Sequence, residues 1–149
     1  MINKFYYNSP VGILEIELER DLILELKVIE SCDKISEVTG YFAEVAKQLD
    51  EYFTGTRSSF DLKINPKGTE FQKKVWEELS KIPYGKTKSY REIAEAIGNP
   101  NAQRAVGYAC NKNPILLIIP CHRVISKSGN LTGFVYGLKN KKFLLELEH

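Results

Sequence analysis

Apolar and polar residues alternate along the first third of the chain with the period of β-strands. The alternation runs from Gly12 to Glu19 and again from Leu22 to Ile29, with only Arg20 and Asp21 between the two runs. A period of two is typical of strands that bury one face. Because two residues can make only a tight turn, we expect an antiparallel hairpin or meander that includes a short strand at Phe5 to Tyr7.

The period then changes to that of a helix. Apolar residues recur at helical spacing from about Ile35 to Phe53, which predicts one amphipathic helix. Residues Phe60 to Ile64 predict a further short strand. Asn65 to Thr69 is the clearest linker in the chain. We therefore place the domain boundary there, between an N-terminal α/β domain, residues 1–65, and a C-terminal domain, residues 66–149.

The C-terminal half changes to short helices. The spacing of apolar residues predicts helices over Thr69 to Lys81 and over Leu138 to Leu147. Between them, the apolar run from Ile115 to Ile119 is expected to be a buried extended segment. The fold class predicted from these patterns is α+β, with a small antiparallel sheet and a helix first and a mostly helical domain second.

Two of the predicted helices follow each other closely. Ser89 and Glu92 have the spacing of a capping box, in which the Ser hydroxyl and the Glu carboxylate each accept from the other residue's amide, and the helix they begin reaches Ile97. Gly98 ends it, and Asn99 and Pro100 can start the next helix, over residues 99–110. Two helices joined by a turn that contains Gly form a helix-turn-helix pattern.

The second of these helices has features that suit contact with DNA. Arg104 has no acidic partner three or four positions away. Small residues would also let the helix backbone lie close to a duplex. Tight packing of alanines with a solvated Arg104 explains the segment equally well. The small residues are Ala102, Ala105, Gly107 and Ala109.

The charge distribution separates the two halves of the chain. Residues 1–80 carry ten Lys and Arg against fifteen Asp and Glu, whereas residues 81–142 carry eleven against two, a local excess of +9. A Lys-rich solvated surface is the plain explanation. So concentrated an excess is also what a protein that binds a phosphate backbone would show, and we favour nucleic acid as the partner.

The chemistry suggested by the sequence centres on Cys121. This thiol stands directly before His122, one of only two histidines, in the segment Pro-Cys-His-Arg-Val. A lone cysteine is most often a small buried apolar residue, but a neighbouring base can convert a thiol to the nucleophilic thiolate. The three cysteines form neither a disulfide framework nor a metal motif. Without a secretion signal or a membrane-length apolar run, we expect a cytoplasmic protein.

These residues closely resemble the O6-alkylguanine-DNA alkyltransferases. The resemblance rests on Pro-Cys-His-Arg-Val together with Asn113-Pro114, Arg-Ala-Val-Gly from Arg104, Gly98-Asn99-Pro100 and Ser89-Tyr90, and it covers about Thr69 to Glu148. It implies a ribonuclease H-like N-terminal domain. It also implies a suicide repair protein that transfers the alkyl group from O6-alkylguanine in DNA irreversibly to its own cysteine, in a single turnover. No cofactor or metal is implied, and the partner is double-stranded DNA that contains the lesion.

The resemblance also assigns roles to individual residues. Cys121 is the nucleophile and alkyl acceptor, His122 removes the thiol proton through a water, and Glu148 orients His122. Asn113 resembles the asparagine that ties the helix-turn-helix to the cysteine segment. Tyr90 resembles the tyrosine that helps displace the nucleotide and bonds the purine.

The remaining expected contacts are with DNA and with the flipped base. Arg104 resembles the arginine that fills the space vacated in the base stack, with the second helix in the minor groove. The backbones of Val124 and Val135 are expected to contact the guanine edge. Other DNA contacts are expected at Arg91, Asn99, Ala102 and Lys127. The protein is expected to act as a monomer.

The loop before the last helix departs from the family pattern. It reads Gly133-Phe134-Val135-Tyr136-Gly137, where many relatives have Tyr after the first Gly and smaller residues after it. The resemblance therefore does not fix the size of the pocket. Gly129, Gly133 and Gly137 are expected to let this loop approach a ligand closely.

Two alternatives differ in what they do with DNA. One is a lesion-binding protein of the alkyltransferase-like group, whose members lack the acceptor cysteine. The other is an ordinary helix-turn-helix regulator, which would bind one operator sequence.

Overall fold

The computed structural model describes residues 1–127 and 134–149, so Gly129 and Gly133 lie outside the described residues. The chain divides into two compact units, Met1–Pro66 and Lys67–His149. The first unit contains a four-stranded sheet and one helix. In the second unit, residues 67–127 and 134–149 form four α-helices, one turn of 3-10 helix and a small pair of strands. This is the α+β architecture that the sequence predicts.

The sheet of the first unit follows the alternation in the sequence. Strands β1 (Ile2–Ser9), β2 (Gly12–Glu19) and β3 (Leu22–Ile29) are antiparallel neighbours, and β4 (Lys63–Ile64) pairs with β3 in parallel. The predicted meander is therefore confirmed, although the strand expected over residues 60–64 is only two residues long. The core includes the apolar residues Leu14, Ile16, Leu18, Ile23 and Leu26.

Helix α1 begins later than the sequence predicts. It spans Gly40–Phe53 and buries Phe42, Val45 and Leu49, whereas the expected start was near Ile35. The preceding residues are held to β1, because the Ser36 amide donates to the Tyr6 carbonyl and the Tyr6 amide donates to the Ser36 hydroxyl. These bonds to β1 tie down the segment where the sequence predicts the first helical turn.

The described residues of the second unit form four α-helices. They are α2 (Glu70–Leu79), α3 (Tyr90–Ala96), α4 (Gln103–Asn111) and α5 (Leu138–Leu147). The Ser89–Glu92 capping box is confirmed, because each side chain accepts a hydrogen bond from the other residue's backbone amide. Helices α3 and α4 pack against each other as the helix-turn-helix pattern predicts. The final helix has the predicted bounds.

Two expectations for this unit are wrong. Helix α4 begins at Gln103 with Ala102 as its N-cap, because a turn in which the Ala102 amide donates to the Asn99 carbonyl precedes it. The segment Ile115 to Ile119 is buried but not extended. It coils through turns, with the Ile119 amide bonded to the Ile115 carbonyl at 3.1 Å and a positive φ of 73° at Leu117.

A parallel pair of short strands joins the two parts of the C-terminal unit that carry the site. Strand β5 (Lys88–Ser89) leads into α3, and β6 (Val124–Ile125) follows the cysteine segment. Trp76 of α2 reinforces this unit, since its indole N–H donates to the Ala109 carbonyl at 2.8 Å in the core. Among the described residues, no helix combines the length and the apolar character needed to cross a membrane.

Candidate active site

Cys121 opens a short turn of 3-10 helix, Cys121–Arg123, directly after Pro120 and directly before β6. Its backbone amide donates to the Ile119 carbonyl at 2.8 Å, and the residue is only 5% exposed. The coiled apolar segment before it therefore holds the thiol inside the unit. A buried thiol at a fixed position can act as a nucleophile once it loses its proton.

The surroundings of Cys121 act on its proton in opposite directions. Burial raises the pKa of the thiol, because the thiolate loses its hydration. The Asn113 amide and the Lys141 ammonium both lower that pKa, because each stabilises the negative charge. Burial is the largest of these effects, so a base is needed to form the thiolate.

His122 supplies a nitrogen in the right state to be that base. Its Nε2 lies 2.7 Å from Glu148 Oε2, and the two side chains are 0% and 1% exposed. Its Nδ1 is buried and has no hydrogen-bond partner among the described residues. A carboxylate on Nε2 favours the tautomer with hydrogen there, which leaves the lone pair on Nδ1. Burial lowers the pKa of His122, while Glu148 raises it.

Arg123 was not assigned a role from the sequence, yet it completes this group. Its Nε donates to Glu148 Oε1 at 2.7 Å, its Nη2 to Glu148 Oε2 at 3.0 Å, and its Nη1 to the Ile82 carbonyl at 2.7 Å. Such a two-pronged pair fixes the plane of the carboxylate. The signal in the sequence was the position of Arg123 directly after Cys121 and His122.

Lys141 is the second residue that the sequence reasoning missed. It is 1% exposed, and its ammonium donates to the Val124 carbonyl and lies 5.9 Å from the centre of the Tyr90 ring. Burial lowers the pKa of Lys141, and the neighbouring thiols of Cys121 and Cys110 raise it. Helical spacing could have found it, because Lys141 shares one face of α5 with Leu144 and Glu148.

Asn113 links the end of α4 to the cysteine segment. Its Nδ2 donates to the Ile119 carbonyl at 2.7 Å, and its Oδ1 accepts from the Ile115 amide at 2.9 Å. Both bonds are buried, and they close the coiled segment into a loop that ends beside Cys121. The placement fits an asparagine that ties the helix-turn-helix to the segment of Cys121, a role that stays a prediction.

The residues expected to contact the base differ in exposure. Tyr90 is the first residue of α3 and is half-buried, and Val124 in β6 is fully buried. Val135 lies in the turn before α5 and is 55% exposed. Next to it, the rings of Phe134 and Tyr136 meet edge to face at 5.8 Å between centroids.

The expected DNA contacts all lie in the C-terminal unit. Arg104 is exposed on α4, and Arg91, Asn99 and Lys127 are also exposed, whereas Ala102 is half-buried. Arg91 and Lys127 line the same surface groove, which has a volume of about 440 Å³. Arg91 is also within 3.7 Å of Glu95 on its own helix.

In the described residues of the N-terminal unit, three carboxylates lie close enough together to share an ion, those of Glu15, Glu17 and Glu25. Lys4 and Lys27 lie within 3.5 to 4.0 Å of this group. The lysines compensate its charge, so we interpret it as an ion-pair network on the sheet.

Family models describe both units. The model of the 6-O-methylguanine DNA methyltransferase DNA binding domain matches residues 70–149. The model of the 6-O-methylguanine DNA methyltransferase ribonuclease-like domain matches residues 2–66. The second match confirms the ribonuclease-like fold expected for the N-terminal part.

Individual proteins match over most of the chain. The methylated-DNA–protein-cysteine methyltransferase of Methanosarcina acetivorans is 56% identical over 148 residues, 95% of each chain. The crystal structure of Mycobacterium tuberculosis OGT in complex with DNA is 44% identical and has a TM-score of 0.89, covering 97% of this chain and 91% of that one. S. pombe Atl1, solved with damaged DNA containing O6-carboxymethylguanine, is 36% identical with a TM-score of 0.50, over 55% of this chain and 78% of that one.

Proposed function

The chain belongs to the 6-O-methylguanine DNA methyltransferase family, and we propose that Cys121 is the residue that accepts the alkyl group. The function of the protein is DNA repair by alkyl transfer. The observation that carries the proposal is the placement of Cys121 next to His122. Nε2 of His122 is bonded to the buried Glu148. In the described chain, Cys110 is buried in α4 and has no such base beside it in sequence.

The proposed reaction is a direct displacement. The thiolate of Cys121 attacks the saturated carbon on O6 of guanine, so that a sulfur–carbon bond forms as the carbon–oxygen bond breaks. The thiol proton passes to Nδ1 of His122 through a water. His122 later returns this proton through water to the departing guanine, so the reaction releases no net proton. The product is a thioether, which no group in the site can cleave, and each protein molecule therefore acts once.

The positions of the charged groups support this chemistry. Nδ1 of His122 has the free lone pair that a base requires, and Glu148 stabilises the ring when it takes up the proton. Lys141 favours the thiolate over the thiol. Asn113 holds the segment that presents the thiol.

The DNA side of the proposal rests on the exposed face of helix α4, which carries Arg104. A thiol that is 5% exposed cannot reach a base inside a duplex, so the damaged nucleotide has to leave the stack. We propose that α4 lies in the minor groove, that Arg104 fills the vacated space, and that Tyr90 bonds the flipped purine. The backbones of Val124 and Val135 then contact the guanine edge.

The proposed substrate is O6-alkylguanine in double-stranded DNA, bound by a monomer in the cytoplasm. The test is to mix the protein with less than, equal to and more than one equivalent of a duplex that carries one O6-methylguanine. We expect the amount of repaired guanine to equal the amount of protein and then stop. A protein of the alkyltransferase-like kind would bind the duplex and leave every methyl group on the DNA, and that result would reject the proposal.

A further inference from the structure

Glu148 is shared between two residues of the 3-10 turn Cys121–Arg123, called the cysteine turn below. Its Oε2 lies 2.7 Å from His122 Nε2 and 3.0 Å from Arg123 Nη2, and its Oε1 accepts from Arg123 Nε at 2.7 Å. The Glu148 side chain is 1% exposed and that of Arg123 is 9% exposed. The negative charge that faces His122 is therefore already matched by a guanidinium in the same plane.

From this geometry we infer that Arg123 is a positioning residue that sets the proton affinity of His122. It does so by balancing the charge of Glu148 and by fixing the oxygen that meets Nε2. The inference deepens the proposed alkyl transfer and rests on it. Neither the Arg123 side chain nor its charge takes part in bond making, because it contacts the carboxylate and not the thiol.

The physical reason is a balance of charges around a buried ring. A buried carboxylate without a counter-charge strongly favours a protonated imidazole beside it, because an isolated buried charge is costly. With Arg123 in place, Glu148 can stay ionised while His122 is neutral. Neutral His122 carries hydrogen on Nε2 and keeps Nδ1 free to accept the proton of Cys121.

The groups that face His122 act on its pKa in opposite directions, and Arg123 acts against Glu148. Burial lowers the pKa of His122, Glu148 raises it, and Arg123 and Lys141 lower it. Cys121 precedes it on the turn, and α5 and its C-cap contribute Lys141 and Glu148. Helix α2 also packs against the turn, and the residues it buries, Val75, Trp76 and Leu79, are uncharged.

Arg123 is itself held by the segment after α2. Its Nη1 donates to the Ile82 carbonyl, and its guanidinium lies 5.9 Å from the centre of the Tyr84 ring. The Tyr84 hydroxyl donates to the Leu147 carbonyl at 3.2 Å, one residue before Glu148. Next to Tyr84, Gly85 leaves no room for a side chain, since an added Cβ would lie 2.9 Å from the Glu148 carbonyl oxygen. The segment from Ile82 to Gly85 therefore contacts both Arg123 and the backbone next to Glu148.

The test compares Arg123→Met, which removes the charge and keeps the length, with Arg123→Lys, which keeps the charge and loses the fork. Lys142→Met is the control for loss of one positive charge, because Lys142 lies on α5 and is 68% exposed. The rate of transfer from free O6-methylguanine is measured from pH 5 to pH 9, so that DNA binding does not enter.

We expect the acid side of the Arg123→Met profile to move up by about one to three pH units, the range in which one neighbouring charge shifts a pKa. The sign follows from the base: a His122 with a raised pKa stays protonated to higher pH and cannot accept the thiol proton until that pH is passed. Arg123→Lys should keep the wild-type midpoint at a lower plateau. An equal loss of rate at every pH in Arg123→Met would overturn the inference and leave Arg123 a structural residue.

A second readout is independent of transfer. Only His122 and His149 carry imidazoles, so ring-nitrogen NMR of the His149→Ala protein reports on His122 alone. In the neutral state we expect hydrogen on Nε2, and a ring pKa that rises in Arg123→Met. Hydrogen on Nδ1 in the otherwise native protein would overturn the inference even if Arg123→Met failed to fold. If the proposed function fails, no transfer is seen at any pH, while these ring signals still decide the role of Arg123.

Discussion

His122 Nε2 and Glu148 Oε2 lie 2.7 Å apart, although 26 positions separate the two residues in the sequence. Helix α5 brings them together, because its last turn ends against the cysteine turn and buries Glu148. The contact connects the residue beside the nucleophile to the end of the chain. The protonation state of His122 therefore depends on where the end of α5 places the Glu148 carboxylate.

Replacing Glu148 with Gln should slow alkyl transfer. The Gln amide can donate to Nε2, which would place the imidazole hydrogen on Nδ1 and block the base. General bases contribute about 10²- to 10⁴-fold, so we expect a loss in that range. The rate of transfer from methylated duplex is the measurement. Glu146→Gln, on the exposed side of the same helix, is the matched control and should react as the wild type does.

Removing the charge of Lys141 should make Cys121 harder to ionise. The ammonium lowers the pKa of the thiol, so Lys141→Met should raise that pKa and reduce the thiolate present at neutral pH. We expect the rate at which Cys121 is labelled at pH 7 to fall by about tenfold or more and to recover as the pH rises. Iodoacetamide labelling of Cys121 across pH, with Cys32 and Cys110 replaced by Ser, measures this.

Lys142→Met provides the comparison for Lys141. Lys142 is the next residue along α5 but is exposed. If both variants give the same labelling profile as the wild type, Lys141 does not act on the thiol.

Arg104→Ala should separate duplex repair from the chemical step. The exposed side chain is expected to hold the flipped state, whose cost is a few kcal/mol, so repair of a duplex should slow by about tenfold or more. Reaction with free O6-methylguanine should be unchanged. Lys34→Ala removes one exposed positive charge from the N-terminal unit and serves as the control. Equal losses of Arg104→Ala on both substrates would contradict the proposed role.

Ser89→Ala should destabilise the protein by about 1 kcal/mol, because the hydroxyl caps α3 by accepting from the Glu92 amide at 3.1 Å. Urea unfolding followed by helical circular dichroism measures this. Ser58 is exposed outside any helix or strand, and Ser58→Ala should change the free energy of unfolding by less than about 0.5 kcal/mol. Equal stability of the two variants would show that the cap does not stabilise α3.

The sequence predicts the elements whose signals are local. Alternation over Gly12 to Glu19 and helical spacing over Leu138 to Leu147 each give the observed bounds. The Ser89–Glu92 capping box is equally local. The start of α1 is not, because Ser36 is bonded to Tyr6 of β1, a tertiary contact that no periodicity records.

The site divides in the same way. Cys121 and His122 are adjacent, so their chemistry can be read from the sequence. Arg123 could not be assigned there, because charged residues are usually solvated and only the fold shows that it is buried. For Lys141 the one signal in the sequence is its helical spacing with Leu144. The parallel pair β5 and β6 is also invisible locally, since each strand is two residues long.

The most direct test of the account is the site of the methyl group after repair. The protein is mixed with one equivalent of duplex that contains O6-methylguanine, digested, and its three cysteine peptides are weighed by mass spectrometry. We expect one methyl group on the peptide that contains Cys121 and none on those with Cys32 and Cys110. Repaired DNA with an unmodified Cys121, or a methyl group on either other cysteine, would contradict the account.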